Sequence, residues 1–292
     1  MKKYLAAVSG GPDSMAMLSK YKRKIYVVCH VNYHKRDSSI RDENIVKKFC
    51  SENKIKCEVL NVTKKIYHSY KEKNFEHLAR NIRYDFFCEI GKKYNIDKLL
   101  VAHNEDDFLE TALMQKNKKS KTLFLGIKKN SNYKWLKIYR PLLKYRKKDL
   151  EKYCEKNKIQ FGIDETNFLP IYERNKIRKE ITTFSDKKYH TILKEIFNYN
   201  KKNKKNIKKI NHLYKEWCTN NFLAKLFIKK ICDVDKNYVI YNFLSTFDVP
   251  NISAKKIEQV KKFIECARVN TKQRLGSNLY VCKNKKQEII IQ

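Results

Sequence analysis

Two short stretches hold most of the residues whose types and spacing could do chemistry. Ser9-Gly10-Gly11-Pro12-Asp13-Ser14 follows a short apolar run and leads into residues at helical spacing. Paired glycines let backbone amides close on a phosphate, a helix start adds partial positive charge, and the Ser9 and Ser14 hydroxyls can donate. The whole chain has six glycines, and two of them are used here. No Lys-Ser/Thr follows the second glycine and the GxGxxG spacing is absent, so this is neither a Walker loop nor a dinucleotide fingerprint. The competing reading is an ordinary glycine turn with an Asp near a helix start. The second stretch is AHNEDDFLET, residues 102–111. On a helix, residues four and seven apart share a face, which aligns His103, Asp107 and Glu110 with Asp106 adjacent, and such acids can hold a cation. Here the competing reading is that Asp106 and Asp107 complement the helix macrodipole and His103 is a satisfied loop residue.

Apolar, β-branched runs at 4–8, 25–31, 56–62 and 98–102 read as strands. Helical spacing covers 14–21, 43–53, 76–94 and 106–115. Strands alternating with helices of this length predict an α/β fold, a doubly wound parallel sheet with helices on both faces. Ligands in such folds sit beyond the carboxyl ends of the strands, where both chemical stretches fall. After 140–143 the pattern turns helical, at 145–157 and 172–183. Residues 201–209 carry six lysines and read as a linker or domain boundary. Beyond it, 211–231 and 254–267 look helical, and 279–282 with 288–291 look like a closing strand pair. The expected organisation is a catalytic domain over 1–200 and a smaller, mainly helical C-terminal domain over 201–292.

Bulk composition narrows the partners. The 292 residues are 42% hydrophobic, enough for a sizeable core, and carry 66 basic against 31 acidic residues, a net charge of +35. The excess is spread over both halves of the chain. A polyanion is the natural partner, with nucleic acid first and an anionic membrane surface second. Only 11 of the basic residues are Arg, a Lys and Asn bias that an AT-rich coding sequence would also produce. No apolar run is long enough for a membrane span, and the opening one is too short for a signal peptide. Nine scattered cysteines without a CxxC pair argue against a disulfide framework or zinc ribbon and for a reducing cytoplasm.

Ser9-Gly10-Gly11-Pro12-Asp13-Ser14 after an N-terminal strand resembles the signature of the PP-loop, or N-type ATP pyrophosphatase, superfamily, with its adenine nucleotide alpha hydrolase-like fold. The resemblance implies that ATP is split between its α- and β-phosphates, that Ser9 to Ser14 hold it, and that Asp13 organises Mg2+. Further strings follow in order: HVNYHKR (30–36), Asn74-Phe75-Glu76, Ala79-Arg80, Arg83-Tyr84, the AHxxDDxxET stretch, YRPLL (139–143), DETN (164–167) and RNKIR (174–178). Over residues 1–180 they look like tRNA(Ile)-lysidine synthetases. That resemblance implies adenylation of the C2 oxygen of the wobble cytidine in a CAU-anticodon tRNA(Ile), then displacement of AMP by free L-lysine. It implies catalytic roles for Asp13, Arg80, His103, Asp107 and Glu110. Asp107 and Glu110 would hold the lysine ammonium, with the general base open among these two and His103. Arg80 would meet ATP or the adenylate. Arg83, Arg174, Arg178, Lys118 and Lys119 are expected on the tRNA side, with Arg174 and Arg178 equally readable as structural ion pairs. The chain departs from the family at 115–122, which lacks the usual glycines, and at Tyr33, where a second His is common. The length leaves room for one small C-terminal domain. The alternative function is another PP-loop tRNA-modifying enzyme such as a thiolase, which would bring a CxxC-type cysteine set. A non-catalytic polyanion binder would turn over no ATP.

Overall fold

In the computed structural model, which describes residues 3–35, 38–70, 75–117, 122–163, 173–247, 249, 252–276 and 279–292, the chain forms two compact units. The first comprises Met1–Thr111 and Gly126–Phe184, and the second Ala112–Leu125 and Ser185–Gln292. The first unit begins β1 (Tyr4–Ala7), α1 (Pro12–Tyr21), β2 (Ile25–Asn32), α2 (Ser38–Glu52), β3 (Lys56–Asn61), α3 (Lys64–Ser69) and α4 (Phe75–Tyr94). It continues through β4 (Lys98–Val101), the start of α5 (Glu105–Asn117), β5 (Asn130–Tyr133), β6 (Leu136–Tyr139), α6 (Lys147–Lys156) and α7 (Glu173–Thr182).

Successive side chains of a strand point to opposite faces, and β1 shows the consequence. Ala6 packs with Met15, Leu18, Val46 and Leu150 of α1, α2 and α6, while its neighbour Leu5 packs with Tyr84, Phe87 and Ile90 of α4. The sheet is therefore covered on both sides, as its nearly continuous apolar strands require. Its order is β3-β2-β1-β4-β6-β5, parallel except for β5 against β6. The chain runs outward from β1 to β3 and returns to the other side of β1 as β4. This makes β1/β4 the point where the strand order reverses, the place beyond whose carboxyl ends ligands bind in such sheets. Ala7 is in register with Val101, so the two chemical stretches leave adjacent strand ends.

The second unit holds α8 (Asp186–Lys202), α9 (Lys204–Thr219), α10 (Ala224–Lys230), α11 (Asp233–Thr246), α12 (Ala254–Cys266) and a meander of β7 (Thr271–Arg274), β8 (Tyr280–Lys283) and β9 (Ile289–Ile291). Its core centres on Trp217, whose ring lies 4.9–5.1 Å from those of Phe222, Phe227 and Phe243. Two expectations change here. The lysine-rich stretch 201–209 is not a linker: it is helical, interrupted only at Asn203 between α8 and α9. The buried Ile196 and Ile210 flank it, Asn203 and Ile207 within it are half-buried, and its lysines are all exposed. The division between units also falls at 184/185 rather than 200/201. Within the second unit α8 is tied to 122–125, where Asn200 bonds both the N–H and the C=O of Leu125 at 2.8 and 2.9 Å, and the Tyr199 hydroxyl donates to Thr122 O at 2.6 Å. No helix of the described residues is long and apolar enough to cross a membrane.

Candidate active site

The loop after β1 is held open by its own serine. The backbone N–H groups of Ser9 and Gly10 both donate to Ser14 Oγ at 3.2 Å, and that hydroxyl donates to Gly11 O at 2.9 Å. Gly10 has φ +93°, and a Cβ there would stand 2.9 Å from Asp42 Cβ and 3.0 Å from Asp42 O, so only glycine fits. The loop is buttressed from outside, since Gly162 N–H donates to Gly10 O at 2.9 Å and Arg41 grips Asp42 Oδ1. Gly11 begins α1 with Pro12 at its first position and no side-chain cap, which leaves the first-turn amides for a ligand.

Asp13 projects from this turn, and its Oδ1 is buried without a hydrogen-bond partner among the described residues. Burial, and next the nearby Asp107 carboxylate, push its pKa up to about 6, against the pull of a hydrogen bond from Asn104. Asn104 is 2% exposed and caps α5 in a reciprocal pattern. Its Oδ1 accepts from Asp107 N at 2.9 Å, while Asp107 Oδ2 accepts from Asn104 N at 3.0 Å. One asparagine thus fixes Asp107 and reaches Asp13 on the facing strand end. Asp106 turns the other way and accepts from Lys147 N at 2.6 Å, at the start of α6.

Glu110, 1% exposed, is clamped by the Nε groups of Arg174 and Arg178 from α7, the latter at 2.5 Å. Arg178 Nη2 also reaches Asp107 Oδ1, at 3.4 Å. His103, at the end of β4, accepts from Arg140 Nε at Nδ1, 3.1 Å away. Burial lowers its pKa to about 4, and the charges of Arg140, Arg174 and Arg80 add to this while Asp107 opposes it. Arg80 lies 4.5 Å over the Tyr84 ring, near enough to His103 and Arg140 to act on both.

Of the residues singled out in the sequence, Ser9 to Ser14, Arg80, His103, Asp107, Glu110, Arg174 and Arg178 are brought together in the first unit. Arg83 is exposed and sits beside the Tyr33 hydroxyl instead, easing a pKa that burial pushes up to about 12. That hydroxyl donates to Ala79 O at 2.7 Å. Lys118, Lys119 and the string at 164–167 lie outside the described residues. Two residues of the cluster had no site role in the sequence reading. Asn104 carries the Asn-x-x-Asp spacing of a helix cap, and Arg140 lies in the YRPLL string and stands out as an arginine in a lysine-rich chain.

This site, with its glycine loop and facing carboxylates at a strand-order reversal, is that of a nucleotide-binding PP-loop domain, and the PP-loop domain family matches residues 1–184. The chain is 48% identical to the tRNA(Ile)-lysidine synthase of Ureaplasma parvum, over 97% of this chain and 85% of that one. It is 41% identical to that of Malacoplasma penetrans and 42% to that of Mycoplasmopsis pulmonis, with 97% of each chain covered in both cases. The chain belongs to the tRNA(Ile)-lysidine synthase family. Among solved structures, the U34-tRNA thiolase NcsA from Methanococcus maripaludis is similar over 70% of this chain and 73% of its own, with a TM-score of 0.57 and 18% identity, a likeness of fold.

Proposed function

We propose that the chain uses ATP to convert the C2 oxygen of the wobble cytidine of CAU-anticodon tRNA(Ile) into an adenylate, and that free L-lysine then displaces AMP to give lysidine. The observation that carries this reading is the meeting of an uncapped glycine loop with a buried, partnerless carboxylate oxygen and a second carboxylate beside it. In the first half-reaction the C2 oxygen attacks the α-phosphorus and pyrophosphate leaves. In the second, the lysine ε-amine attacks C2 and AMP departs with the former carbonyl oxygen, a far better leaving group than oxide. The ordinary pKa of that amine is about 10.4, so the site must bind the ammonium and take its proton.

Ser9 to Ser14 cradle the phosphates of ATP. The residues fit Mg2+: Asp13 offers a hard oxygen that no hydrogen bond among the described residues satisfies, with Asp107 facing it. Among the described residues no group of three His, Cys, Asp or Glu side chains is placed to hold a metal, so the ion would rest on Asp13 with Asp107 beside it. When bound, Mg2+ neutralises charge on the departing pyrophosphate. Glu110 is committed to two guanidiniums, so we assign the ammonium to Asp107, whose Oδ1 has, among the described residues, only the long contact to Arg178. Glu110 then acts by holding Arg174 and Arg178, and Arg80 is placed to meet the nucleotide. The second unit supplies tRNA contacts through the exposed lysines of α8 and α9, and a tRNA substrate sets the work in the cytoplasm.

The test is AMP release and incorporation of labelled lysine with tRNA(Ile) transcripts bearing CAU or a changed wobble base. Both signals should require ATP and CAU. Absence of lysine incorporation into the CAU transcript would refute the reading.

A further inference from the structure

Resting on the function proposed above, we infer that Arg140 is a positioning residue that holds His103 in its Nε2–H tautomer, so that His103 serves the site as a neutral hydrogen-bond donor and not as the proton acceptor. An arginine Nε always carries hydrogen and cannot accept. At 3.1 Å from His103 Nδ1 it therefore demands the lone pair of that nitrogen. A neutral imidazole has one hydrogen, which must then sit on Nε2. Arg140 cannot easily turn away. It is 6% exposed, and its Nη1 donates to Lys128 O and to Ser131 Oγ, both at 2.9 Å. The two residues leave neighbouring parallel strands, β6 and β4, so the sheet itself sets their separation.

Protonating the ring would place a second donor against the Arg140 N–H. It would also add a cation among Arg140, Arg174 and Arg80, with Asp107 acting in its favour. Nε2 has no protein partner among the described residues, which leaves its N–H for an acceptor oxygen of the nucleotide or the cytosine. Of His103, Asp107 and Glu110, with Glu110 clamped and His103 holding its proton, Asp107 is the one left to accept a proton from the amine.

The tautomer can be read without any turnover. Long-range 1H–15N correlation spectra of histidine-labelled protein report which ring nitrogen carries hydrogen, and His103→Gln identifies the resonance among the seven histidines. The expected pattern is Nε2–H with an unprotonated Nδ1 in wild type, and a mixture of tautomers in Arg140→Met. An Nδ1–H pattern in wild type, or an unchanged pattern in Arg140→Met, overturns the inference. Adenylation rates give a second, independent reading. Gln places an amide donor near the position of Nε2 and cannot act as a base, so His103→Gln should lose about tenfold, the scale of one weakened neutral hydrogen bond. A loss of roughly 100-fold or more, as expected when a general base is removed, overturns it. If no lysine incorporation is seen in wild type, the proposed function fails, while the tautomer measurement still decides the role of Arg140.

Discussion

Replacing Asp13 by Asn should make the protein more stable while abolishing its chemistry. In the folded chain the Asp13 pKa stands at about 6, against 3.8 for the free side chain, because the carboxyl is buried and faces Asp107. Below pH 3.8 both folded and unfolded states hold the proton and the residue is neutral in its effect. As pH rises the unfolded chain ionises first, so folding loses stability progressively until the pH passes the folded value. A gap of about two units, at about 1.4 kcal/mol each, makes the ionised carboxylate cost about 3 kcal/mol above pH 6. Asn has nearly the same shape and no charge, but its buried side-chain atoms lack one partner too, so the net gain at pH 7.5 is about 2 kcal/mol. For a unit of this size that is an increase in melting temperature of roughly 4–8 °C. Calorimetry of wild type and Asp13→Asn at pH 7.5 and pH 4 measures it: the difference should be present at the first pH and nearly gone at the second. Mg2+ should raise the melting temperature of wild type alone, and the variant should release no AMP. A variant no more stable than wild type at pH 7.5, or a gain of equal size at pH 4, would refute the electrostatic account.

Asp107→Asn keeps an oxygen for the Asn104 N–H but removes the charge, so adenylated tRNA should accumulate while lysine transfer falls. Failure to form the adenylate would show that Asp107 is needed earlier. Gly10→Ala should destabilise the fold by about 1–3 kcal/mol and abolish ATP binding, because the clash is with the backbone and Cβ of Asp42. Gly11→Ala, whose added carbon would meet nothing closer than 3.7 Å, should melt within a few degrees of wild type; equal behaviour of the two in calorimetry and ATP titration would count against the loop geometry. Neutralising Lys201, Lys202, Lys204, Lys205 and Lys208, all exposed on α8 and α9, should lower the log–log salt slope of tRNA binding by about 0.7–0.9 per lost phosphate contact. An unchanged slope at 50 to 200 mM salt would move the tRNA footprint elsewhere.

The elements were legible where a local period announces them. Apolar runs at 4–8, 25–31, 56–62 and 98–102 became β1 to β4, and the long helix expected at 76–94 became α4 (Phe75–Tyr94). The hairpin of β5 and β6 was not, because Asn130-Ser131-Asn132-Tyr133 carries little apolar pattern and forms through its pairing with β6. α11 was missed for a different reason: Tyr238-Val239-Ile240-Tyr241 is apolar and β-branched without a clear period, and its helical form is decided by burial against Trp217 and Phe227. Lysines misled at 201–209, where exposed charge on a helix face has the composition of a linker.

What the amino-acid sequence determined by itself is the pair of chemical stretches and their placement at strand ends, because glycine turns, caps and strand periods are all set within a few residues. It carried no information on which strand end lies beside which. That β1 neighbours β4, setting Asp13 against Asp107 with Asn104 between them, follows from the path of the chain through the sheet. Equally, α7 brings Arg174 and Arg178 onto Glu110 across more than sixty residues, and β6 brings Arg140 onto His103 across thirty-seven. These pairings rest on charge and hydrogen-bond complementarity between groups with no fixed sequence spacing. They decide which carboxylate two guanidiniums occupy and which imidazole nitrogen accepts from Arg140, and only the folded chain could settle that.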